Sequence, residues 1–307
     1  MRGAVRETSV PPGSLFLPVF VDPSVTEPTP ISSMPGQFRW SPEGLGPIAE
    51  RATRAGIGGL ILFGRPAAKV AEGSGAWDPQ GSVQRALRSL RGKGDLILAT
   101  DVCLCAYTTS GHCGYWKDHH LENDRSVEAV ARIAVSHAEA GADWVAPSAM
   151  LDGQVRHIRS ALDAHGFTDT AILAYAAKFA SAFYGPFREA EDSAPSEGDR
   201  KGYQMDPANA REALHEMRLD AEEGADILMV KPAMTSLDIL ARARTEFAHP
   251  LAAYHVSGEY AMLKAAAARG WLDEPTAVAE TLTALRRAGA GLILTYYALE
   301  AVESRWV

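Results

Sequence analysis

Cysteine is scarce in this chain, with three residues in 307, all between positions 103 and 113. An odd number of thiols crowded into one short segment makes a poor disulfide framework and a better metal or thiol site. Basic charge is also in short supply: 30 Lys and Arg stand against 38 Asp and Glu, for a formal net charge of -8. A sequence-independent nucleic-acid binder needs a basic surface to displace counterions from phosphates, so that class is disfavoured. No apolar run approaches the roughly 18 residues of a membrane span, and the start MRGAVRETSVPPGS lacks the apolar core of a secretory signal. The expectation is a soluble, cytoplasmic protein with neither nucleic acid nor membrane as partner. Also missing are a low-complexity tract and a glycine-rich dinucleotide fingerprint after an early strand.

What the chain does have is a regular alternation. Eight short apolar runs begin at Leu15, Gly58, Asp95, Ala142, Thr170, Ala225, Leu251 and Gly291, with amphipathic stretches between them. Their near-continuous hydrophobicity suits parallel strands covered on both faces. One intervening helix is expected to open with Asp206 as N-cap and Pro207 in the first turn. It would bury Ala210, Leu214, Met217 and Ala221 and stop at Gly224. Val127, Val130, Ala131, Ala134 and Ala138 mark another before Gly141. Eight such units predict an α/β chain folded as a (β/α)8 TIM barrel, with reactive groups at the carboxyl ends of strands; a doubly wound open sheet is second.

Lys178 and Lys231 close the fifth and sixth runs, in AILAYAAKFA and ADILMVKPAM. At a barrel mouth, desolvation and a second cation both lower a lysine's pKa and free the neutral amine to attack a carbonyl. A lysine there also serves as a rim residue that snorkels into water or pairs with a carboxylate. For one lysine the two readings weigh evenly; two on adjacent strands favour Schiff-base chemistry. Cys103, Cys105 and Cys113 follow the third run in DVCLCAYTTSGHCG, at C-x-C-x7-C spacing. Three thiolates hold zinc and leave a fourth position for water or substrate, as catalytic sites do. With His112 as fourth ligand the site would be closed and structural, and buried cysteines also serve as small hydrophobes. Asp101, at the same strand end, is a general acid or base, a carboxylate behind the ligands, or a cap.

Two segments exceed the simple repeat, 103–123 and 186–205, and long loops in compact domains are commonly lids or binding loops. The second carries Arg188, Arg200, Lys201 and Gln204. It is either a solvated mixed-charge loop or a lid whose arginines clamp a carboxylate. Ser257 and Tyr296 end the seventh and eighth runs, where a hydroxyl binds a second carboxylate or simply furnishes the rim.

The segments ISSMPGQFRWS, DVCLCAYTTSGHCG, AVSHAEAGADWVAPS, AAKFASAFYGPFREA, GDRKGYQMDPANAREAL, ADILMVKP, YHVSGEYAMLKAA, GWLDE and ILTYYALEA stand in one order. In them the chain resembles the porphobilinogen synthase (5-aminolevulinate dehydratase) family along nearly its whole length. The resemblance implies a (β/α)8 barrel and a hydro-lyase that condenses two 5-aminolevulinate molecules to porphobilinogen with loss of water, in tetrapyrrole (heme) biosynthesis. It implies that Lys178 tethers the substrate of the propionate side and Lys231 that of the acetate side. Arg188, Arg200 and Gln204 then surround the first carboxylate, and Ser257 and Tyr296 bind the second. Cys103, Cys105 and Cys113 match a catalytic Zn2+ site, and Glu216 falls where many bacterial members bind an activating Mg2+. Ser110, Ala149, Thr235 and Ser236 depart from common family residues, and none of them is a reacting group. Residues 1–14 are expected as a short arm and 15–307 as one catalytic barrel with its lid at about 186–205. The family's arms wrap neighbouring subunits, so a homo-oligomer is implied, an octamer or a smaller assembly. The competing readings are a paralogue acting on a related amino ketone and a catalytically silent scaffold subunit.

Overall fold

The eight apolar runs become the eight parallel strands of a closed barrel. In this computed structural model, which describes residues 2–307, the strands are β1 Leu15–Val21, β2 Gly59–Gly64, β3 Ile97–Val102, β4 Trp144–Pro147, β5 Ala171–Lys178, β6 Ile227–Lys231, β7 Leu251–His255 and β8 Leu292–Thr295. Met1, the first residue of the expected arm, lies outside the described residues. Each strand pairs with the next, and β8 returns to β1 through Leu15↔Ile293 and Phe16↔Leu294, closing the ring. The (β/α)8 barrel is therefore the observed fold. β1, β2, β6 and β7 are buried at every residue, as strands must be with side chains filling the barrel on one face and helices covering the other.

Several strands begin a residue or two after the apolar run does. Asp143 and Asp226 show why. Each stays outside its own strand and accepts a hydrogen bond from the backbone N–H of the neighbouring one, Asp143 Oδ2 from Leu98 (2.8 Å) and Asp226 Oδ2 from Ile172 (2.7 Å). Between β5 and β6 the register also shifts. Leu228 faces Ala174 but Val230 faces Ala177, so two steps along β6 match three along β5 and β5 carries a bulge. Beyond it, Lys178 and Lys231 are direct partners.

The helices are α1 Gly46–Ala55, α2 Ser82–Leu90, α3 Asn123–Ala140, α4 Gln154–Ala164, α5 Gly185–Glu191, α6 Ala210–Glu222, α7 Leu237–Glu246, α8 Ser257–Ala268, α9 Glu274–Ala288 and α10 Ala298–Glu303. α3 buries all five residues expected of it and ends at Gly141, whose φ of +105° suits glycine. α6 starts later than expected. Asp206 caps a separate turn, accepting from Ala208 N (2.9 Å), and the helix begins at Ala210. Ala213 and Met217 are its buried residues, whereas Ala210, Leu214 and Ala221 are half-buried. The error has a local cause: an Asp-Pro pair before an apolar stripe looks the same whether it caps the helix or a turn ahead of it.

The segments outside the repeat are partly ordered into elements too short for periodicity to reveal. Tyr115–Lys117 and His120–Glu122 form a hairpin, and a ribbon of Thr29–Pro30 with Phe38–Trp40 extends from β1. After α5 the chain runs in coil to Met205, which rejoins the sheet: Met205 N donates to Lys178 O (3.2 Å) and Ala180 N to Met205 O (2.8 Å). Near the start, Val10 is buried and Ser9 O accepts from Arg286 of α9. Among the described residues no helix is long and apolar enough to cross a membrane.

Candidate active site

Lys178 and Lys231 meet at the barrel mouth because the register across β5 and β6 makes them opposite residues, and each is only 5% exposed. Lys178 Nζ donates to the carbonyl oxygen of Ser148, just beyond β4. Lys231 Nζ lies among rings, 4.4 Å from the centroid of Tyr254, 5.0 Å from those of Tyr175 and Tyr184, and 5.2 Å from that of Phe187. Burial, and then the adjacent Lys178, push its ammonium down to about 7. A buried amine that is neutral near pH 7 is a nucleophile. Asp101, at the end of β3, is half-buried. Burial pushes its carboxyl up to about 6 against the pull of Lys178, a hydrogen bond with Ser148 and the pull of Lys231.

The three cysteines are all buried, and their sulfurs lie within 4.8 Å of one another. Hydrogen bonds from Cys103 and then Cys105 hold the Cys113 thiol well below the usual thiol range, while bonds with Cys105 and then Cys113 push Cys103 up. A donor set made only of sulfur, so closely grouped, fits a borderline-soft ion such as zinc. His112 is not a fourth ligand here. Its Nε2–H donates to Glu197 O (3.0 Å) and its Nδ1 accepts from the Tyr203 hydroxyl (3.1 Å), a tautomer assigned from those partners. Burial lowers its pKa, which keeps the ring neutral. The alternative of a closed structural site completed by His112 is not the arrangement observed.

Arg188, Arg200, Lys201 and Gln204 line one cleft of about 660 Å³ beside β5. Arg188 Nε, Arg200 Nε and Gln204 Nε2 are buried without an acceptor. Burial, followed by Arg200, lowers the pKa of Arg188. Two arginines and an amide with donors unfilled make a place for an anion, and a carboxylate answers guanidinium geometry best. Ser257 and Tyr296 are both buried. Ser257 Oγ accepts from Phe187 N (3.0 Å) and donates to Phe183 O (3.3 Å), so it seats α5; the Tyr296 hydroxyl meets that of Tyr254 (3.1 Å), which in turn faces Lys231. Glu216 is not brought to this mouth. It sits on α6, its carboxyl pushed up by burial and by Asp152, with Glu212 and Glu223 nearby.

Sequence reading missed the cage around Lys231. Tyr175 and Tyr254 lie in strands and Phe187 in the loop helix, and only the fold places them around one amine. Their signal was aromatic residues close to the lysine-bearing strand ends. Tyr203 was missed as well, and Ser148 takes part through a backbone carbonyl that no side-chain pattern marks. Ser110 bonds locally to Thr108 (3.3 Å) and Ala149 is buried, while Thr235 and Ser236 line a groove between β6 and the 179–183 turn.

Comparison with known proteins follows the same lines. Residues 1–304 match the profile of the family described as delta-aminolevulinic acid dehydratase. A delta-aminolevulinic acid dehydratase of Archaeoglobus fulgidus is 50% identical over 304 residues, covering 99% of this chain and 94% of that one. One from Mycobacterium tuberculosis is 52% identical over 307 residues, covering 98% and 93%. The crystal structure of delta-aminolevulinic acid dehydratase (porphobilinogen synthase) from Toxoplasma gondii, in complex with the reaction product porphobilinogen, superposes with a TM-score of 0.96 at 46% identity. It covers 99% of this chain and 88% of that chain. A putative deoxyribose-phosphate aldolase from Coccidioides immitis, 11% identical with a TM-score of 0.52, shares the fold alone. A barrel with paired mouth lysines, matched from end to end by relatives at half identity, belongs to the delta-aminolevulinic acid dehydratase family.

Proposed function

We propose that this chain is a hydro-lyase that condenses two molecules of 5-aminolevulinate to porphobilinogen with loss of water. The observation that carries the reading is the pair of buried lysines opposite each other at the ends of β5 and β6, with the orphaned donors of Arg188, Arg200 and Gln204 to one side. Each lysine amine attacks a substrate ketone and expels water, leaving an imine that tethers the substrate and draws electrons from the adjacent carbon. Lys178 takes the propionate-side molecule, whose carboxylate fills the Arg188–Arg200–Gln204 cleft. Lys231 takes the acetate-side molecule, whose carboxylate turns to Ser257 and Tyr296. Asp101, between both lysines and the cysteines, receives or returns the proton lost from carbon. Holding both partners replaces a bimolecular encounter by an intramolecular one.

Cys103, Cys105 and Cys113 are the residues that would hold zinc, which when bound supplies a Lewis acid for the second substrate's carbonyl or an anchor for its amine. We assign residues 186–205 as a lid on the single catalytic barrel of 15–307, with 1–14 as an arm. We assign Glu216, among Asp152, Glu212 and Glu223, to a separate magnesium site. Three free thiols agree with a cytoplasmic setting. Trp271, 70% exposed, with its neighbour Leu272 and the exposed Met262 of α8, gives a homo-oligomer apolar surface to cover. Light scattering that finds only monomer at all concentrations would overturn the assembly. For the reaction, purified protein given 5-aminolevulinate should form a pyrrole, and borohydride should trap substrate on Lys178. No pyrrole, and no adduct on either lysine by peptide mapping, would sink the assignment.

A further inference from the structure

The cysteine loop and the lid are joined by contacts that the condensation itself does not use. Ser110 O accepts from Ser196 N (2.8 Å) and Ser196 Oγ (3.1 Å). Arg200 donates to Gly111 O (2.9 Å), and Gly111, at φ +69°, comes so close to the lid that an added Cβ would lie 2.3 Å from Ala194 O. The Tyr203 hydroxyl accepts from the backbone N–H of Cys113 (3.3 Å) and donates to His112, which reaches Glu197 O. Every residue from Ser110 to Cys113 therefore touches the lid. On the outer side Trp116, from the hairpin, lies flat on His112 with centroids 3.7 Å apart and planes 3° from parallel. Its indole N–H donates to the Glu197 carboxylate.

We propose that Trp116 and Tyr203 are positioning residues that couple lid closure to metal occupancy of the cysteine cluster. Tyr203 holds the Cys113 limb of the cluster in place from the lid, and Trp116 locks the lid down on it through His112 and Glu197. Because coupling of this kind is reciprocal, an ion that draws the three sulfurs together favours the closed lid, and a closed lid raises affinity for the ion by the same factor. The lid also brings Arg200 and Gln204, so the same latch governs how well the first carboxylate is bound. The inference rests on the reading of the cysteines as a zinc site and of 186–205 as a lid.

The test uses the full chain, with zinc affinity measured by chelator competition and amide hydrogen exchange followed over residues 194–204 with and without zinc. In wild type, zinc should slow exchange in the lid. Trp116→Ala and Tyr203→Phe should each weaken zinc about tenfold or more, the usual cost of losing a partner behind a metal ligand, and abolish the zinc-dependent protection. At saturating zinc, KM for 5-aminolevulinate should rise more than kcat falls. Glu197→Gln, which keeps an acceptor for Trp116, should stay near wild type, while Glu197→Ala should follow Trp116→Ala. Zinc affinity within about twofold of wild type in both Trp116→Ala and Tyr203→Phe overturns the coupling, whether or not the lid opens. Wild-type protein that binds no zinc overturns the metal reading and the coupling together, so the two failures are distinct.

Discussion

Lys231 shows how a single side chain is tuned by opposed effects. Burial and the neighbouring Lys178 push it down, whereas the charge of Asp101 pulls it back up. The balance, about 7, leaves a useful share of free amine at neutral pH. The attacking form is the unprotonated one, so kcat/KM should fall as pH drops below about 7. Lys178→Met removes the second cation, and the titration of Lys231, followed by mapping its reductive methylation against pH, should move up. An unmoved titration would show that burial alone sets it. The sign for stability is the same: the unfolded chain binds a proton at this lysine up to the ordinary lysine range and the fold does not. Its contribution is therefore fully present above the ordinary lysine range and is lost as pH falls from there to about 7.

At the scale of elements, α5 stands out, because seven residues carry Phe187 of the lysine cage and Arg188 of the anion cleft. It is seated by Ser257 Oγ and by the close approach of α8, where a Cβ on Gly258 would lie 2.5 Å from Phe183 O. Gly258→Ala should shift the 182–188 turn at a cost of about 1–3 kcal/mol, as overpacking does, and lower kcat/KM more than the change in melting temperature explains. Unchanged kinetics together with full stability would mean that the turn is free to move. Elements also show what the sequence could and could not reveal. The barrel strands were legible because most of their residues are buried on both faces and so read as near-continuous apolar runs, although β3 is half-buried at Ile97 and Leu98 and carries Thr100 and Asp101. The hairpin at 115–122 was not, since three-residue strands are too short to show a period. The start of α6 was misplaced by Asp206-Pro207, whose chemistry suits two neighbouring turns equally well.

For the whole molecule, reactive groups and stabilising groups occupy different regions. The lysines and cysteines sit at one end of the strands, and most of the apolar mass lies in and around the barrel below them, with the three buried cysteines joined to it. Cys105→Ala should therefore cost metal and turnover while leaving the melting temperature within a few degrees of wild type, and a chelator should inactivate reversibly. Melting temperature, metal content and turnover measured side by side decide this; joint loss of folding and metal would make the site structural. The same separation explains which parts of the site could be read beforehand. Lysines, cysteines and arginines announce themselves by residue type at strand ends and in long loops. The aromatic cage, the Ser148 carbonyl and the Tyr203 bridge depend on distant segments meeting, which only the closed ring brings about.

The bulge in β5 has a further consequence. The gap between the two tethering amines is set by the spacing of neighbouring strands, about 4.8 Å, and by a phase of one residue. Loops at the mouth are free to lengthen or change composition without altering that ruler. Loss of the extra residue in β5 would instead slide Lys178 one place along its strand and turn it to the opposite face. The distance over which two substrates are joined is thus a property of backbone lattice geometry, inherited with the barrel, while recognition of what is joined is left to the side chains and loops around it.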